Sequence, residues 1–231
     1  MNFYEIWKEA KTNNISEESF LSDFLSLTES SIYVLNNGTQ NELITFCNVL
    51  LDTSIEKLID SIGFVDASLI NPDIILQFSN FEHGVFEVPI NIKMEGRPLT
   101  FNELGKLIMN SKEDGACKKY GENHSKLAYQ LSLVNLNRNG CFYVNNTAFG
   151  DFSVGMSKDD LINIGRRLLL RNNFIKLIIK MAKDGNCDYS LLAKKFLSES
   201  TAERRKSNVK YAVNLVLNGT KYEPLLKNIV W

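Results

Sequence analysis

The sequence places a glutamate three positions after a hydroxyl residue at Thr39/Glu42, Thr53/Glu56, Thr100/Glu103 and Ser200/Glu203, among other positions. Each pair fits the capping box, in which hydroxyl and carboxylate reciprocally satisfy the free N–H groups at a helix start. Stretches with helical apolar spacing flank these starts, among them "ELITFCNVLL", "SIEKLIDSI", "FYEIWKEA" and "SFLSDFLSL". The expected fold class is mainly α with short β-hairpins. Few strands are expected. "GVFEVPINIK" alternates in part, and "LVNLNRNGCFYVNN" sets the turn "NRNG" between two β-prone runs.

The chain has 231 residues, 44% of them apolar, enough to bury a sizeable core. Its apolar runs, such as "LINIG" and "FIKLII", fall far short of the roughly 20 residues of a membrane span. The start "MNFYEIWKEAKTNN" lacks the basic, apolar and small-residue regions of a signal peptide. Four scattered cysteines without a C-x-x-C pair, and only two histidines, argue against zinc or a disulfide framework. They read as reduced thiols of a cytoplasmic protein.

Charge divides the chain. Residues 1–100 hold 5 Lys+Arg against 15 Asp+Glu, a balance of −10, whereas residues 101–231 hold 21 against 12, a balance of +9. An acidic domain over 1–98 and a basic region over 99–231 are expected, with "KMEGRP" at 93–98 as the boundary. A basic region of this kind suits a polyanionic partner. The alternative is an acidic and a basic domain that neutralise each other.

Element order beyond residue 98 sharpens the expectation. "TFNELGKLIM", "KEDGACKKYG" and "NHSKLAYQLSL" read as three helices, with Gly121 in the turn before the third, and the hairpin "LVNLNRNGCFYV" follows. This is the order of a winged helix, expected at about 99–147, whose third helix can enter the DNA major groove. Leu127, Leu131 and Val134 would point inward, leaving Ser125, Lys126, Tyr129 and Gln130 outward, with Arg138 in the hairpin turn. A second unit of the same kind is expected at about 172–231, from "NNFIKLIIKMAKDG", "DYSLLAKKFL" and "SESTAERRKSNVKYAVNLVL". On its third helix Ala202, Val209, Ala212, Val213 and Val216 form the apolar stripe. Ser200, Arg204, Lys206, Ser207, Asn208, Lys210 and Tyr211 are its candidate DNA contacts, since Arg and Lys grip phosphate and guanine while Asn and Ser bond base edges. A solvated charged face is the plain alternative.

Four stretches, "FNELGKLIM", "KKYGENHSKLAYQLSLV", "LINIGRRLLLRNNFIKLIIKMAKDG" and "LSESTAERRKSNVKYAV", resemble the winged-helix-type module of type II restriction endonucleases and related restriction-modification proteins. The similarity spans about residues 100–217. It implies recognition of double-stranded DNA in a phage-defence setting. The catalytic element would then lie on another chain, and the expected partners besides DNA are a separate catalytic subunit or a second copy of the chain.

A nuclease centre is the enzymatic alternative. Asp73, after Pro72, and Glu87 on an expected strand have an acceptable spacing for a PD-(D/E)xK site that would take Mg²⁺, but Pro89 stands where that site wants lysine. Binding without cleavage, and no metal or cofactor, is therefore the expectation. No G-x-S-x-G, H-E-x-x-H, Walker-type or G-x-G-x-x-G sequence occurs. His124, at the start of the expected recognition helix, reads as exposed or phosphate-facing. A protein-interaction adaptor whose basic half binds an acidic protein completes the alternatives.

Overall fold

Residues 47–109, 113–137, 143–145 and 155–231 are described in the computed structural model, together with residues 32, 34–36, 38, 39 and 43. Two short helices, α1 (Cys47–Asp52) and α2 (Ile55–Asp60), lead into an irregular stretch with single 3-10 turns at Ala67–Leu69 and Pro72–Ile74. A π-helical turn at His83–Glu87 then runs straight into α3 (Val88–Glu95). The run expected as a strand, with Glu87 on it, is thus helical. Its residues carry both periods, and Val85, Val88 and Ile92, at i, i+3 and i+7, are all fully buried. Pro89, expected at an edge strand or bulge, sits inside this continuous helical run, two residues after the end of the π-helical turn. The expected boundary at 93–98 is a tight helix end, closed by Gly96 at φ 64°.

Strand β1 (Leu99–Thr100) opens the next unit, followed by α4 (Phe101–Met109), α5 (Asp114–Gln130), β2 (Asn135–Asn137) and β3 (Tyr143–Asn145). The three strands form an antiparallel sheet in the order β1-β3-β2, with Val144 opposite both Leu99 and Leu136. The hairpin is as expected, while its turn, with Arg138 and Cys141, lies outside the described residues. The two helices expected at 112–133 are one. Gly121 lies in the middle of α5, where a Cβ would come within 1.9 Å of the Phe101 carbonyl oxygen. A Cβ on Gly105 of α4 would meet the Cys117 carbonyl oxygen at 1.8 Å. The two helices therefore touch backbone to backbone, and Gly121 serves contact rather than a turn.

Of the four capping boxes, Thr100/Glu103 forms in full. The Thr100 N–H donates to Glu103 Oε2 at 2.8 Å and the Glu103 N–H to Thr100 Oγ1 at 3.2 Å. That backbone bond, with the Thr100 hydroxyl and Arg97, draws the Glu103 carboxyl down to about 2. At the second and fourth boxes the N-cap is a neighbour instead, Ser54 for α2 and Ser198 for the last long helix, and neither makes a side-chain cap bond. Glu42 lies outside the described residues.

The C-terminal part comprises α6 (Lys158–Leu168), a 3-10 turn at Leu169–Arg171, α7 (Asn173–Asp184), β4 (Cys187–Asp188), α8 (Tyr189–Ala193), α9 (Glu199–Leu217), a 3-10 turn at Glu223–Asn228 and β5 (Ile229–Val230). Helix α7 ends at Gly185 and the α9 apolar stripe is buried, both as expected. Side-chain caps from Ser157, Asn172 and Asp188 start α6, α7 and α8. Strand β5 returns the chain parallel to β4. One apolar cluster runs from Val34 to Ile229. Cations of the basic half reach carbonyls of the acidic half. Arg167 donates to Leu51 O at 3.0 Å and Thr53 O at 3.2 Å, and Arg171 to Leu35 O at 3.0 Å and Gly38 O at 3.1 Å. The described residues are mainly helical, and none of their helices is long and apolar enough to cross a membrane.

Close helix contact makes a paired prediction. Gly121→Ala forces a methyl into a neighbouring backbone and lowers stability by about 2–3 kcal/mol. Gly115→Ala, on the same helix with nothing within 4 Å of its Cβ, raises it by about 0.5–1 kcal/mol. Urea midpoints of the two variants check both signs.

Candidate nucleic-acid interface

Between Asn71 and Asn80 the chain has no regular pairing apart from the turn at Pro72–Ile74, yet Ile75, Leu76 and Phe78 are buried. A buried irregular backbone must find partners for its polar groups. Side chains of three helices supply them. Gln130 of α5 donates to the Asp73 carbonyl, and Asn172, the N-cap of α7, donates to the Ile74 carbonyl at 2.7 Å. From α9, Arg205 donates to the Pro72 carbonyl and, at 2.7 Å, to that of Ile75, while Asn208 donates to the Phe78 carbonyl. The Asn80 N–H donates to Nε2 of His124 on α5 at 3.2 Å. Segment 71–80 is thereby tied to α5 on one side and α9 on the other.

A polar cleft of about 200 Å³ lies where these elements meet. Lys119, Asn123, Lys126 and Gln130 line it from α5, Arg204 and Arg205 from α9, and Asp73 and Gln77 from the segment. The α5 positions follow the spacing i, i+4, i+7, i+11, one stripe of a continuous helix. Four cations thus face one acid within the lining. Glu122, beside the cleft, bonds Lys126 at 2.6 Å and Lys119 at 3.2 Å. Burial alone would raise the Glu122 carboxyl, but those two lysines outweigh it and hold the carboxyl below its ordinary value. Arg204 is exposed and forms no ion pair among the described residues. Such a cleft can hold a phosphate and compete with Glu122 for its lysines.

The residues expected to contact DNA divide. Lys126, Gln130 and Arg204 meet in this cleft, and Tyr129, 45% exposed, lies beside it. Ser125 does not, being fully buried with Gly121 on the face of α5 that meets α4. Gln130 and Asn208 each donate one amide N–H to segment 71–80. Tyr211 packs its ring 5.9 Å from those of Phe78 and Phe81. Lys206 pairs with Glu203 at 3.3 Å, and Lys210 lies 5.8 Å from the centroid of the Trp231 ring. Ser200 and Ser207 are exposed on α9. Lys119 and Asn123 were missed because their alignment with Lys126 is visible only once 114–130 is a single helix, and Arg205 because its partners, the Pro72 and Ile75 carbonyls, are distant in sequence.

The two acids of the nuclease alternative are not brought into one lining. Asp73 lines the cleft, whereas Glu87 ends the π-helical turn, where its side chain meets the Asn91 amide at 3.4 Å. Among the described residues no three His, Cys, Asp or Glu side chains gather as a metal site. Cys117 and Cys187 are buried free thiols, and burial pushes Cys187 up to about 11. No family model, curated protein or solved structure matches the chain.

His124 is fully buried, against the expectation of an exposed or phosphate-facing ring. Its Nδ1 lies 2.8 Å from the Tyr120 carbonyl and so donates, leaving Nε2 to accept from Asn80, a pattern that only the neutral ring satisfies. Burial, aided by the neighbouring His83, lowers the imidazole to about 4 against backbone hydrogen bonds that raise it. Above pH ~6.5 both folded and unfolded chains hold the ring neutral. Below that the unfolded chain takes up a proton that the folded chain refuses. Stability attributable to His124 therefore falls by about 2 kcal/mol from about pH 7 to about pH 5, and continues to fall until about pH 4. Chemical denaturation across that range shows this loss in the wild type, and His124→Gln flattens it.

Proposed function

We propose that the chain binds double-stranded DNA, as the target-recognition part of a restriction-modification or phage-defence system. The observation that carries the binding is the convergence of Lys119, Lys126, Arg204 and Arg205 on one cleft whose lining holds a single acid. Phosphate contacts of this kind position a duplex without reading it. Sequence reading falls to groups beside the cleft that no backbone consumes, such as Ser207 on the exposed face of α9. The defence setting is supported by the resemblance of residues 100–217 to restriction-modification modules, and catalysis then belongs to a separate subunit.

Element order supports the same reading. From α3 the chain runs helix, strand, helix, helix, strand, strand, and its sheet order is β1-β3-β2. We read this as a winged-helix unit over about 81–145, one helix earlier than the sequence places it, with α5 as the recognition helix. Helices α7, α8 and α9 form the second unit, with α9 in the equivalent place. The nuclease alternative gains nothing from the separate positions of Asp73 and Glu87.

Binding of a labelled duplex as a function of salt tests the proposal. With about three phosphates neutralised by Lys119, Lys126 and Arg204, affinity falls about fortyfold between about 50 and 200 mM salt. Lys126→Ala and Arg204→Ala each weaken all sequences and reduce the slope by about one. Glu122→Gln releases two lysines and strengthens binding at low salt. Salt-insensitive binding, or no effect of these three substitutions, contradicts the reading.

A further inference from the structure

The cationic cleft does not end at Gln130. Two more hollows, of about 290 and 410 Å³, continue it along α5, and all three share Gln130 in their linings. Lys126 and Asp73 belong to the first two, and Tyr129 and Ile74 to the second and third. Character changes along this line. At one end stand Lys119, Lys126, Arg204 and Arg205, then come the Tyr129 ring with Ile74, Leu136 and Leu69, and at the far end the amides of Asn135 and Asn173 beside Arg171, whose guanidinium is bonded to the Leu35 and Gly38 carbonyls. About 6 Å of helix rise separates Lys126 from Gln130, the scale of the step from a phosphate to its own base.

Phosphate explains only the first part of this sequence of groups. An aromatic face beside aliphatic side chains, followed by amides, suits the flat face and polar edge of a nucleobase, which a stacked and paired duplex keeps hidden. Gln130 adds a further sign. Its Nε2 is spent on the Asp73 carbonyl, and its Oε1 is buried with no hydrogen-bond donor among the described residues. A base bearing an exocyclic amino group carries the missing donor. Tyr129 is 45% exposed, Asn135 is exposed, and neither side chain is part of the core.

We propose that this groove receives one unstacked nucleotide of a DNA strand, its phosphate among Lys119, Lys126 and Arg204 and its base against Tyr129 with the amino edge toward Gln130 Oε1. The inference rests on the DNA-binding reading above and names what that site takes beyond the regular duplex. No covalent step is involved. Unpairing the nucleotide costs least where it has no partner, so a strand with an unpaired base binds better than a perfect duplex.

Anisotropy of the full chain with three labelled oligonucleotides of one sequence tests it: a perfect duplex, the same duplex with one unpaired adenine, and the single strand. The expected result is at least about tenfold tighter binding of the duplex with the unpaired adenine than of the perfect one. Tyr129→Ala brings that ratio close to one, and Tyr129→Phe, which keeps the ring, preserves it. Equal affinity for both duplexes overturns the inference while leaving the duplex reading standing. A preference that survives Tyr129→Ala also overturns it. Binding confined to the unpaired and single-stranded forms sinks the duplex reading and sustains the inference. Displacement of the strand by free deoxyadenosine monophosphate at equal concentration assigns the groove to a free nucleotide and overturns the strand as occupant.

Discussion

Segment 71–80 sets the terms for everything around it. It enters the core through Ile75, Leu76 and Phe78 without joining a sheet, so its carbonyls have no ladder to bond with. Leaving a buried carbonyl unpaired costs about 1–3 kcal/mol, and Asn172, Arg205 and Asn208 remove that cost at Ile74, Ile75 and Phe78, while Gln130 and Arg205 also tie down the exposed Asp73 and Pro72. Those side chains come from α5, α7 and α9, so satisfying one stretch of backbone fixes the spacing of three helices. The groove along α5 is the space that this arrangement leaves on the solvent side.

The same demand reshapes the electrostatics. A balance of +9 over residues 101–231 suggests a broad field for phosphate, but four of its arginines are bonded to carbonyls. Arg166 holds Val216 and Asn218, Arg167 and Arg171 hold the acidic half, and Arg205 holds segment 71–80. Burial lowers the proton affinity of each, yet guanidinium stays charged at any working pH. They contribute potential more than direct contacts. Lysines and Arg204 are left to exchange partners, and Glu122 competes for two of them.

What the sequence made legible follows how local each signal is. Helix α4 with its capping box, the stop at Gly185, the α9 stripe and the pairing of β2 with β3 all depend on neighbours in the chain. The failures depend on distant ones. Gly121 signals a turn locally, but the backbone of α4 turns it into a helix contact. Val85, Val88 and Ile92 carry a helical period inside a run that also alternates, and packing chose between the two. Gln130 and Asn208 are good base readers by type, yet carbonyls far away in sequence claim their donors. His124 and Ser125 look like outward residues of a short recognition helix and are buried because that helix is part of a longer one. The candidate site was thus half legible: Lys126, Gln130, Tyr129 and Arg204 were in view, while the stripe joining Lys119 and Asn123 to them was not.

The central claim is that nucleic acid meets the chain along α5 and the first half of α9, over segment 71–80. Photo-crosslinking from a duplex carrying a halogenated uracil, followed by mass spectrometry of the joined peptides, tests it most directly. The account predicts crosslinks within residues 118–130 and 199–211 that fade as salt rises. Crosslinks concentrated instead at the exposed apolar patch of Leu191 and Val230, or an absence of crosslinks despite measurable binding, would contradict it.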